Sequence, residues 1–91
     1  MIALRHVIPE DVILAEAGKI GVALIVGGYD PQDLPLTMLA VEAKLRDLRH
    51  AALEHGIPIL GHLWSFTDAG DVDVVFKFQH DTDAVGFRMM V

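Results

Sequence analysis

"KIGVALIVGG", residues 19–28, is the stretch on which the fold turns. It carries one charge, at Lys19, and ends in Gly27-Gly28. A nearly continuous apolar run of this length suits a strand buried on both faces, the kind found inside a parallel sheet. The preceding "PEDVILAEAGK" (9–19) admits two readings. It is a short helix with Pro9 first, acids early and Gly18 last, or a strand forming a hairpin with 19–28. "IALRHVI" (2–8) reads as a short strand before it.

The segment that follows is a helix, expected over about 35–55. Met38, Val41, Leu45, Leu48 and Ala52 recur at the 3,4 spacing of one helical face, and Leu39, Ala40 and Ala43 widen the stripe. Glu42 and Arg46 make a favourable i,i+4 pair. Pro35 suits the first turn, with Asp30-Pro31 and Asp33 supplying turn and capping chemistry upstream. Gly56 closes the helix as a left-handed cap, with Pro58 just beyond. "IPILGHLWSF" (57–66) is again apolar on both alternating faces and reads as a strand. Strand, helix and strand together predict a right-handed βαβ unit with parallel strands.

"VDVVFKFQ" (72–79) alternates cleanly, with Val72, Val74, Phe76 and Phe78 inward. The tail "AVGFRMMV" (84–91) fits a strand with Val85, Phe87, Met89 and Val91 on one face. It also fits a helix capped by Asp81 with Asp83 in the first turn, though Gly86 would weaken its middle; the strand is preferred. The expected fold is a single α+β domain over 1–91. It is a two-layer sandwich, one long helix on a four- or five-stranded mixed sheet, with the βαβ unit followed by antiparallel strands. A ferredoxin-like arrangement, or its permuted ββαββα form, fits the same elements.

Composition narrows the function. The chain of 91 residues is 53% hydrophobic, with mean hydropathy +0.43. So small a domain cannot hide that much apolar surface alone, which predicts self-association or a heterologous protein partner. A net charge of −6 argues against binding a nucleic-acid backbone. No apolar run approaches the ~18 residues of a membrane span, and "MIALRHVIPEDV" lacks the features of a secretory signal. Without cysteine there is no disulfide or thiolate chemistry, which suits a reducing cytoplasm.

Three histidines crowd into "RHAALEHGIPILGH" (49–62). His50 and His55 are five apart on one helix and so diverge by about 140°. A helical metal pair needs a spacing of three or four, and His62 lies on the next element. No metal or cofactor is expected here. "GGYDP" (27–31) matches neither the phosphate-binding nor the dinucleotide fingerprint. The acids at Asp68, Asp71, Asp73, Asp81 and Asp83 lack the order of a calcium loop and read as turns and strand ends. His62, His80 and Asp81 are the best catalytic candidates, since a carboxylate beside an imidazole can tune a general base.

"AKLRDLRHAALEHGIPIL" (43–60) resembles the helix–turn–strand in the cytoplasmic domain of flagellar and type III export-switch proteins. The similarity spans about a fifth of the chain. The self-cleaving Asn-Pro-Thr-His motif of that family is absent, so the resemblance implies no site residue and no activity. The leading expectation is a small non-enzymatic interaction module, a homodimer that binds another macromolecule in the manner of an accessory or mobile-element protein. Its expected interface is Trp64, Phe66, Phe87 and Met89. The alternatives are a regulatory domain holding a small metabolite beside the helix and a small His-dependent enzyme.

Overall fold

A computed structural model describes residues 1–32 and 34–91. Asp33, assigned above to turn and capping chemistry, lies outside the described residues. The chain runs β1 (Ile2–Ile8), α1 (Glu10–Val26), α2 (Leu36–Glu54), β2 (Gly61–Phe66), β3 (Val72–Phe78) and α3 (Asp81–Met90). The sheet has three strands in the order β1-β3-β2, and both pairings are antiparallel. The fold is therefore a small α+β domain with three helices. It is not a four- or five-stranded mixed sandwich with a parallel βαβ unit, whether ferredoxin-like or permuted.

The decisive correction is at 19–28, which belongs to α1 rather than to a strand. Over the whole window 10–26, Ile13, Ala17 and Gly21 are buried, with Glu16, Ile20 and Leu24 half-buried beside them. That 3,4 stripe faces α2, where Leu36 approaches Gly21 and Lys44 meets Glu16 at 3.6 Å. Gly27-Gly28 ends this helix. Gly28 takes a left-handed φ of 86°, and Tyr29 N–H donates back to Leu24 C=O at 2.8 Å. Gly56 closes α2 in the same way, with a φ of 73° and Ile57 N–H donating to Ala52 C=O at 2.8 Å.

The inner face of β3 is sealed: Val72, Val74, Phe76 and Phe78 are all fully buried. Val41, Leu45 and Ala52 of α2 join them in the core, while Leu48 is only half-buried. Met38 lies on the same helical stripe but is 51% exposed. α3 closes the other end of that layer, its Phe87 ring 4.9 Å from Phe76 and 5.5 Å from Phe78. The tail is thus a helix and not the strand preferred above. Ala84 and Phe87 are buried at a spacing of three, whereas Val85 and Met89, expected to share the face of Phe87, are exposed. Gly86 is tolerated mid-helix because α3 lies so close to Ile57 that a β-carbon there would stand 3.0 Å from its Cδ1. The opposite face of the sheet is open, with Arg5, Leu63 and Asp73 on it.

Two substitutions separate helix from strand. Gly18 sits in mid-α1 with open space where a β-carbon would go. Gly18→Ala is expected to stabilise by roughly 0.5–1 kcal/mol through helix propensity. Gly56→Val, in the left-handed region, is expected to cost about 1–2 kcal/mol. Thermal denaturation followed by circular dichroism measures both, and a lower Tm for Gly18→Ala would contradict a helix through that position.

Candidate functional site

The histidines of 49–62 resolve into separate structural tasks. His50 Nε2 lies 3.2 Å from Glu54 Oε1, one turn along α2. His55, at the C-terminal cap, places Nδ1 2.9 Å from Ala51 C=O. His62 packs edge-on against Phe76, and its Nδ1 lies 3.0 Å from Arg49 Nη1. A guanidinium can only donate, so that nitrogen of His62 accepts. The other arm of Arg49 donates to Ile59 C=O at 3.0 Å. Arg49 thus pins the connector after α2 to the first residues of β2, and the His62 lone pair on that side is committed.

His62 and His80 stand apart. His62 is in register with Phe76, and His80 lies four residues further along, at the N-cap of α3. At strand rise that separation is about 13 Å. Asp81 and Asp83 occupy the first turn of α3, where carboxylates favour the positive helix end. Among the described residues, no three His, Asp or Glu side chains gather closely enough to hold a metal ion.

Asp71, Asp73 and Glu42 have partners that spacing alone did not reveal. Asp71 Oδ1 accepts from Glu10 N–H at 2.8 Å, so the β2–β3 turn caps α1 from 61 residues away. Asp73 receives Arg5 Nε and Nη2 at 2.7 and 2.6 Å on the open sheet face. That hydrogen-bonded carboxylate, and then its charge, raise Arg5 above its ordinary value. Glu42, expected to pair with Arg46, accepts instead from Trp64 Nε1 at 3.1 Å.

Among the described residues, three clefts flank α2. One of 530 Å³, between α1 and α2, is lined by Glu16, Ile20, Leu39, Glu42, Ala43 and Arg46. A second, of 320 Å³, is lined by Arg46, Arg49, His50, Leu53, Pro58 and Ile59. The third, 290 Å³, lies between β1 and the helices, with His6, Ile8, Val12, Lys44 and Leu48 on its walls. All are open, and the latter two sit at the small end of the range for ligand pockets. Burial lowers the His6 imidazole below its ordinary value.

The expected interface residues do not form one surface. Phe87 is fully buried and forms part of the core instead, a correction to its place in that set. Met89 is 83% exposed on the outer side of α3. Trp64 is half-buried and meets Phe66 edge-on at 5.3 Å. The surface that sequence reasoning missed is the turn end of the α1–α2 hairpin. Val22, Ile25, Val26, Tyr29, Leu34 and Met38 are all exposed there. No charged residue occurs between Lys19 and Asp30, or between Asp33 and Glu42. A signal was available, since the apolar run continues past the residues that α2 can cover.

No known protein family, curated protein or solved structure matches this chain. Among the described residues, no helix is long and apolar enough to cross a membrane.

The lowered His6 value has a definite sign. As pH falls through about 6.5, the unfolded chain takes up a proton at His6 before the folded chain does. Stability is therefore fullest above that pH and declines below it, until the folded form is protonated too. Urea midpoints at about pH 7.5 and about pH 5 should show a smaller loss for His6→Gln than for the native chain. An equal loss would remove His6 as a source of the pH dependence.

Proposed function

We propose that the protein is a small non-enzymatic interaction module that self-associates and acts by binding another macromolecule in the cytoplasm. The carrying observation is the hairpin end. Val22 and Ile25 are each 62% exposed there, and residues 20–29 and 34–41 around them carry no charge. Contiguous exposed apolar surface of this kind is characteristic of contact sites rather than of solvated monomers. His62, Glu42, Asp71 and Asp73 support the same reading, because Arg49, Trp64, the Glu10 N–H and Arg5 engage them as structural partners. A chain that uses no disulfide suits a reducing compartment.

Light scattering at micromolar concentration is expected to give a molar mass near twice the chain's 10.0 kDa. A monomer throughout that range would overturn the self-association on which the proposal rests.

A further inference from the structure

We propose that the hairpin end docks on the same surface of a second copy across a two-fold axis, so that two α1–α2 hairpins form a four-helix contact. The proposal rests on the interaction-module reading and adds its partner and surface.

Area is the first ground. The chain exposes 5904 Å², whereas a compact monomer of its mass exposes about 5,200 Å². The excess, roughly 700 Å², approaches the ~800 Å² that each partner contributes to a standard interface. The radius of gyration is 14.6 Å with extents of 45 × 30 × 18 Å, against about 12 Å expected for a compact chain of this length. Part of the excess lies at the hairpin end, where Met38 is exposed although it shares a stripe with the fully buried Val41 and Leu45. Val26, in the last turn of α1, is 82% exposed.

Charge is the second ground. Two copies of a chain with net charge −6 repel one another, and the repulsion is least where the contact carries no charge. The helical flanks of the hairpin end meet that condition, because residues 20–29 and 34–41 are uncharged and the acids Asp30 and Asp33 fall between them in the sequence. The open sheet face does not, since Arg5, Asp73 and Lys77 lie on it. A basic partner would be drawn to the acids, away from this surface. A two-fold contact needs only one self-complementary patch, and paired antiparallel helices supply it as in other four-helix bundles.

The test compares Ile25→Glu at the hairpin end with Leu63→Glu on the open sheet face, by light scattering across a dilution series. Ile25→Glu is expected to raise the concentration for half-dissociation at least tenfold, while Leu63→Glu leaves it near the native value. Because the chain has no cysteine, Val22→Cys, Val26→Cys and Tyr29→Cys give an independent readout on the otherwise native protein. At least one should oxidise to a covalent dimer, and Leu63→Cys should not. A dimer weakened by Leu63→Glu but not by Ile25→Glu overturns this surface and leaves the interaction-module reading standing. Cross-linking only through Leu63→Cys does the same. A monomeric native chain overturns both. A monomer that floats with neutral phosphatidylcholine vesicles overturns the second copy and makes a lipid surface the occupant of the hairpin end.

Discussion

A three-stranded sheet with one covered face offers room for few helices, and the competition for that room shapes the molecule. β3 pairs on both sides, and its four inward side chains are fully buried. α2 supplies Val41 and Leu45 to the layer above, and α3 supplies Phe87. α1 comes between β1 and α2 in the chain, and only its N-terminal half, through Ile13 and Ala17, belongs to the core. Beyond that, its neighbour is α2. A helix with one partner buries one stripe, and whatever lies on its other flank faces out.

This arrangement accounts for what could be read from the residues and what could not. The alternation of Val72, Val74, Phe76 and Phe78 has one explanation, a half-buried strand, and β3 is that strand. The stripe through Val41 and Leu45 and the stop at Gly56 likewise match α2. The reading of 19–28 failed because two apolar surfaces are superimposed there. Ile20, Gly21 and Leu24 face α2, while Val22, Ile25 and Val26 face outward. Together they erase the polar contrast by which a surface helix is recognised. Gly18 then looked like a boundary. The tail was misread for a related reason, since Val85, Phe87 and Met89 alternate by chance while Ala84 and Phe87 carry the packing.

Little of the candidate site was legible beyond the divergence of its helical histidines. Helical spacing sufficed to separate His50 from His55, and they do different things. The partners that give the polar groups their roles are distant in sequence. Trp64 meets Glu42 across 22 positions, and Arg5 meets Asp73 across 68. No local pattern encodes such pairs, because they exist only once the sheet has assembled. The interface expected at Trp64, Phe66, Phe87 and Met89 rested on a sheet with a bare apolar face. α2 and α3 cover the face to which Trp64 belongs, the other face stays open with Val7 and Leu63 exposed on it, and the hairpin adds a further exposed apolar surface.

The pairing of β1 with β3 also bears on the order in which the chain can acquire its shape during synthesis. Ile2 lies opposite Phe78, and Ile8 opposite Val72, so the first strand has no partner until β3, far along the chain, has been made. At ~5–20 residues per second, roughly 4–14 s separate the appearance of the two strands. The helical hairpin is local and can form within that interval, before there is a sheet to receive its inner stripe. For those seconds the nascent chain presents apolar helix on both flanks and an unpaired strand beside it, the combination that chaperones bind. The cap from Asp71 onto Glu10 likewise waits for the β2–β3 turn, and it ties the first helix to that end of the sheet.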